Sequence, residues 1–288
     1  MPSLVEVLRK TEAFLGARGI PQPRREAELL LGHALGLSRM DVYLQFEKPL
    51  SEPELIAVRP LVARRGRREP LHWILGTIGF YEHDDFIVRP GVLVPRPDTE
   101  ALVIEALKLI PEDSDAPFFV ADVGAGTGVV GLSIAAARPA VRLFAVDLSD
   151  AALANTRENV AMLGLDKRVA VLQGSLLEPI PDNRNIDIVV SNPPYVASAT
   201  LDTLEPEVRA HEPRLALDGG TDGLAIYRAL IPAAAQRARV GVLVEIGHDQ
   251  GQAVAELFTA AGLTDVTVHQ DLGRRDRVVS GRRASPAT

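Results

Sequence analysis

Cysteine is absent from the 288-residue chain, which excludes disulfide staples and Cys-ligated zinc or iron–sulfur centres and is compatible with a reducing compartment. Histidine is sparse: the six residues are dispersed without an HExxH or similar spacing, so no metal site is expected. Positive charge is not in excess either. A formal net charge of −7 gives no global sign of a protein that coats nucleic acid or rests on a membrane surface. The N-terminus, MPSLVEVLRKTEAFL, sets acids among its apolar residues and lacks a long apolar core, so it reads as neither a secretion signal nor a membrane span. These absences leave the expectation of a soluble cytoplasmic protein, long enough for one large domain or two modest ones.

The chain divides by texture. Residues 1–73 carry helical periodicity. Ser3 can cap a helix with Glu6 three residues on and Leu4, Val7, Leu8, Phe14 and Leu15 at helical spacing. Pro23 opens a second helix with Ala27, Leu30, Leu31 and Ala34 inward and Gly36 as its stop. A further helix over Ser51 to Arg65 completes a small bundle, and Arg59, Arg64, Arg65, Arg67 and Arg68 read as its solvated end. Residues 74–97 set short β-rich runs between Gly and Pro, as in a hairpin and linker. Over 98–288 the strand candidates FFVADV, VRLFAVD, RVAVLQ, IDIVVSN, VGVLVEI, TDVTVHQ and DRVVSGR alternate with amphipathic helices. That alternation implies a Rossmann-like α/β domain whose parallel sheet is covered on both faces. The last two candidates, joined by a short DLG turn, should pair antiparallel at the edge.

Within the α/β part, ADVGAGTGVVGLSIA runs from a strand into a helix. Gly124-Ala125-Gly126-Thr127-Gly128 lets the backbone turn sharply and approach a ligand, with helix N-terminal N–H groups facing it. Asp147 ends the next strand, 19 residues beyond Gly128, where a carboxylate accepts hydrogen bonds from ribose hydroxyls. The loop fits both the dinucleotide pattern GxGxxG and the GxGxG of S-adenosylmethionine (AdoMet) enzymes. Asp122 favours AdoMet, because a carboxylate suits a methionyl ammonium and repels a pyrophosphate.

DIVVSNPPYV ends a buried strand in Asn192-Pro193-Pro194-Tyr195. At the carboxyl end of this strand Asn192 should stand beside the first strand and the methyl donor. Its side-chain carbonyl and the Pro193 main-chain carbonyl can each accept one N–H, and the prolines fix φ so that the two acceptors keep their separation. Tyr195 adds an aromatic face for a flat target and a nearby cation. The tetrapeptide is therefore a clamp for a planar amine or amide, and Asn192, Pro193 and Tyr195 are the expected catalytic residues.

Together with LLGHALG, PRPDTE at 95–100, EPEVRAHEPRLALDGGTDGLAIYR at 205–228, LVEIG at 243–247 and DLGRRDRVVSGR at 271–282, these motifs span nearly the whole chain. The sequence resembles the HemK/PrmC family of protein-(glutamine-N5) methyltransferases, which modify the glutamine of the GGQ motif in class I peptide chain release factors. The resemblance implies a seven-stranded sheet that converts AdoMet to S-adenosyl-L-homocysteine. It implies that residues 124–128 and Asp147 bind the cofactor and that Asn192 to Tyr195 hold the substrate amide. PRPDTE would line the mouth of the cofactor pocket, and the helical part would grip the release factor. Where the family often has an acid for the adenine amino group this chain has Ser175, followed by Leu176 to pack on the adenine. A monomer acting without nucleic acid, membrane or metal is expected. The alternatives are glutamine methylation of a ribosomal protein and adenine-N6 methylation of nucleic acid, the latter lacking a basic recognition domain here.

Overall fold

A computed structural model describes residues 1–271 and 273–284. The described chain separates into two compact units, Met1–Thr77 with Glu205–His211, and Ile78–Leu204 with Glu212–Thr288.

The first unit is helical: α1 (Leu4–Gly16), α2 (Pro23–Leu35), α3 (Arg39–Leu44), α4 (Glu52–Gly66), α5 (Leu71–Leu75) and, from far along the chain, α9 (Pro206–His211). Ser3 and Glu6 form the reciprocal capping box that starts α1, and Gly36 ends α2 in the left-handed region at φ 64°. Leu4, Leu8, Leu15, Leu30, Leu31, Val42 and Leu50 form the core. The expectation of a solvated arginine cluster holds for Arg67, which is exposed, and for Arg59, which pairs with Glu52 at the surface. It fails for Arg65. That guanidinium is only 3% exposed and ion-pairs with Glu26 and, at 2.9 Å, with Glu207, which also pairs with Arg68. A buried guanidinium needs such partners, and one of them is supplied 142 residues away.

The second unit opens with a two-stranded ribbon, β1 (Thr77–Phe80) and β2 (His83–Ile87), β1 starting on the last residue of the first unit. Residues 74 and 75, expected in the hairpin, end α5 instead. A helix α6 (Glu100–Leu107) leads into β3 (Phe118–Val123), α7 (Val129–Ala137), β4 (Val141–Asp147), α8 (Asp150–Met162), β5 (Val169–Gln173) and β6 (Ile186–Ser191). The order continues with α10 (Ala225–Arg237), β7 (Ala238–Glu245), α11 (Gly251–Ala260), β8 (Leu263–Gln270) and β9 (Asp276–Arg283). The seven-stranded sheet runs β5-β4-β3-β6-β7-β9-β8. Its first five strands are parallel, while β9 is antiparallel to both β7 and β8. Leu272, in the expected DLG turn, lies outside the described residues. Strand order reverses between β3 and β6, and every residue of β6 is buried. Ligands of open α/β sheets bind beyond such a switch point, at the carboxyl ends of the strands.

Candidate active site

The last registered pair of β3 and β6 is Val123 with Ser191, and Ser191 Oγ donates to the Val123 carbonyl at 2.6 Å. The next residue on each strand is therefore Gly124 or Asn192. A Cβ placed on Gly124 would stand 4.0 Å from the Asn192 main-chain oxygen. One cavity opens here, lined by Gly124, Gly126, Asp147, Ser175, Leu176 and Asn192 together with Pro193 and Pro194.

The glycine loop is braced by main-chain groups. Gly124 and Ala125 both donate to the Val146 carbonyl, at 2.8 and 3.0 Å. Gly128 starts α7 at φ 83°, where a Cβ would meet Leu132 at 2.9 Å and Thr156 at 3.0 Å, so two independent reasons demand glycine. Asp147 joins the loop by accepting from the N–H of Gly126 through Oδ2 and from that of Ser149 through Oδ1, each at 2.9 Å. Each carboxylate oxygen keeps a further lone pair for a ligand hydroxyl.

Asp122, Ala125, Thr127, Gly128 and Tyr195 do not line the cavity. Asp122 is 1% exposed and its Oδ2 accepts from the Gly131 N–H at 2.9 Å. Strand alternation turns it toward α7, and burial, with the charge of Asp147 adding, pushes its carboxyl up to about 7. Leu176 occupies φ 50°, a sparsely populated conformation for a bulky residue. The mouth differs from the sequence expectation: Gly91, Val92 and Leu93 line the cavity, and PRPDTE at 95–100 does not. Instead Thr99 Oγ1 accepts from Asn192 Nδ2 at 3.2 Å, Asp98 pairs with Arg277 at 3.1 Å, and Arg96 pairs with Glu212 at 2.6 Å.

The tetrapeptide is pinned from outside. Val196 forms a parallel bridge with Asp218, and Gln250 Nε2 donates to the Tyr195 carbonyl at 3.0 Å. Gly223 passes so close that a Cβ would come within 2.4 Å of that carbonyl. This is the contact that the glycines of DGGTDGL permit. Desolvation pushes the Tyr195 phenol up to about 12, with the Glu245 charge adding. Glu245, which stands in LVEIG but takes no role from the sequence, is 1% exposed at the end of β7. Burial raises its carboxyl to about 7, opposed by the nearby Thr99 and Tyr195 hydroxyls and the charge of Arg277, while Asp98 adds to the rise. The signal that could have found it is an acid closing an apolar strand, VGVLVE, just as Asp147 closes VRLFAVD.

The donor set fits AdoMet. Asp147 offers acceptors for a vicinal diol, Leu148 and Leu176 offer apolar surface for a purine, and Asn192 shares the same cavity. Among the described residues no group of three or more His, Cys, Asp or Glu could hold a metal, and no helix is long and apolar enough to cross a membrane.

Comparison with known proteins agrees. Residues 6–76 match the PrmC N-terminal domain model, and residues 101–219 match the methyltransferase small domain model. A release factor glutamine methyltransferase of Geobacter sulfurreducens is 44% identical over 279 residues, covering 96% of this chain and 95% of its own. One from Caulobacter vibrioides is 44% identical over 281 residues, covering 97% and 96%. The N-terminal domain of human METTL16, solved in complex with SAH, superposes with a TM-score of 0.50 over 67% of this chain and 74% of its own, a likeness of fold at 17% identity. The chain belongs to the release factor glutamine methyltransferase family and is an AdoMet-dependent methyltransferase.

Proposed function

We propose that the protein transfers the methyl group of AdoMet to the side-chain amide nitrogen, N5, of the glutamine in the GGQ motif of class I peptide chain release factors. The observation that carries this reading is Asn192. Its amide nitrogen is committed to Thr99, so its Oδ1 is left to accept from a guest in the cavity that the glycine loop also lines.

An amide nitrogen is a poor nucleophile because its lone pair is delocalised. The cofactor supplies an electrophilic methyl carbon bonded to a sulfonium. Asn192 Oδ1 and the Pro193 carbonyl each accept one N–H of the glutamine amide, turning its lone pair toward that carbon. As the N–C bond forms and the S–C bond breaks, the nitrogen gains positive charge, and both acceptors bind it more tightly than in the ground state. The surplus proton leaves to water. Alignment of this kind is worth about 7–11 kcal/mol at most. On the cofactor side Gly124 and Gly126 give close approach, Asp147 takes the ribose hydroxyls, and Ser175 and Leu176 meet the adenine. Asp122 and Gly128 act through the shape of the loop. The helical unit holds the release factor.

Incubation with labelled AdoMet and a purified release factor, its GGQ-to-GGA variant, or DNA tests the reading. Label confined to the GGQ form is expected; label on DNA, or equal label on both release-factor forms, would overturn it.

A further inference from the structure

We infer that Leu215 is a specificity-determining residue: it packs on the methylene stem of the glutamine and holds the substrate main chain at a glutamine's reach from the amide clamp. The inference rests on the proposed function and deepens it.

Asn192 Oδ1 and the Pro193 carbonyl read a carboxamide, and asparagine carries the same group one methylene closer to its main chain. The clamp alone does not tell the two apart, so another part of the cavity has to read the stem. Pro213, Leu215, Ala216 and Ile226 also line the cavity, and all four are apolar. They belong to its substrate side. The cofactor groups follow β3, β4 and β5, whereas β6 and β7 lie on the opposite side of β3 in the sheet. Ile226 stands in the first turn of α10, which leads into β7. Pro213 to Ala216 are part of a strap bonded to the chain just after the clamp: the Val196 N–H donates to the Leu217 carbonyl at 2.9 Å, and the Gly219 N–H donates to the Val196 carbonyl at 2.8 Å.

The strap is fixed on both sides of Leu215. Arg214–Ala216 form one 3₁₀ turn. Before it, the Glu212 carboxylate is 1% exposed and pairs with Arg96 at 2.6 Å, as a carboxylate taken out of water requires. After it, Asp218 Oδ1 accepts from Ser198 Oγ at 2.6 Å. Leu215 itself is 59% exposed. A leucine held in place on a cavity wall, with most of its surface open to water, gains by packing on an apolar guest. The apolar part of a substrate next to its clamped amide is the glutamine stem. An asparagine amide seated in the same clamp would draw the main chain inward by one methylene, onto the Leu215 side chain. Reading one methylene in this way is worth about 10- to 200-fold in kcat/KM.

The test compares a purified release factor with its GGQ-to-GGN variant as substrates for the wild type, Leu215→Ala and Leu215→Met, measuring kcat, KM and AdoMet Kd. The wild type should favour glutamine over asparagine by about 100-fold in kcat/KM. Leu215→Ala should raise KM for the GGQ form about 10-fold with kcat little changed, the mark of lost uniform binding. It should also narrow the glutamine-to-asparagine ratio about 10-fold, because the shorter residue gains room. Leu215→Met, which conserves volume, should restore both. AdoMet Kd should stay within about threefold throughout. An unchanged ratio in Leu215→Ala, or a wild type that treats both forms alike, would overturn the stem reading alone. A parallel loss of AdoMet affinity would place Leu215 against the cofactor and overturn it as well. A wild type that methylates no release factor would overturn the substrate reading and this inference with it.

Discussion

At the ends of β3 and β4 the glycine loop hangs on main-chain bonds, from Gly124 and Ala125 to Val146 and from Gly126 and Ser149 to Asp147. At the end of β6 the clamp depends on side chains, with Asn192 Nδ2 on Thr99 and Gln250 Nε2 on the Tyr195 carbonyl. The first half asks only that residues close in sequence turn tightly. The second gathers residues 99, 192, 195 and 250 from three separate stretches of chain. A main-chain cradle shapes itself to a cofactor whatever the substrate, whereas positioned side chains can set which atoms donate and which accept, which discriminating an amide requires.

This comparison can be broken most sharply at Asn192. Asn192→Ala should cut the single-turnover rate about 1,000-fold while AdoMet Kd, measured by calorimetry, stays within about threefold. A matching loss of affinity would show that Asn192 serves the cofactor half. Asp147→Ala should do the reverse. Losing charge-assisted hydrogen bonds weakens AdoMet binding about 10- to 100-fold, with the rate at saturating AdoMet little changed. The smallest effect on binding and rate belongs to Asp122, which anchors the loop from behind and whose change is read in stability instead. Its carboxyl is raised from 3.8 to about 7 by burial, so its contribution to stability is full below its unfolded pKa and is lost as pH rises through about 7. An amide in its place keeps an acceptor for the Gly131 N–H and carries no charge. Asp122→Asn should therefore gain stability over the wild type by about 2–3 kcal/mol between pH 5 and pH 8, read from denaturant midpoints. A difference that does not change with pH would contradict the buried-carboxyl account.

The same contrast decides what the sequence can reveal. The glycine loop, Asp147 at its strand end and the Asn-Pro-Pro-Tyr terminator are legible because each lies within a few residues of a strand whose apolar run announces it. The alternation of elements likewise yields the sheet, and the antiparallel pairing of β8 with β9 follows from their short connection. The direction of Asp122 is not legible: both faces of β3 are covered, so its alternation carries no hydrophobic signal, and only Gly131 shows where the carboxylate goes. PRPDTE is expected at the cavity mouth, yet Thr99 stands behind Asn192, a placement set by tertiary packing. Arg65 reads as part of a solvated run because its partner Glu207 comes from α9. Burial of charged groups depends on contacts distant in the chain, and local pattern is silent about these.

The division between the halves is tested most directly by the double variant Asp147→Ala with Asn192→Ala, assayed for both AdoMet Kd and single-turnover rate on a release factor. Independent halves give additive free energies. The double variant should carry the weakened affinity of the first change and the slowed transfer of the second, each undiminished. A double variant no worse in both parameters than one of the single variants would show that cofactor cradle and amide clamp act as one unit, contradicting the account.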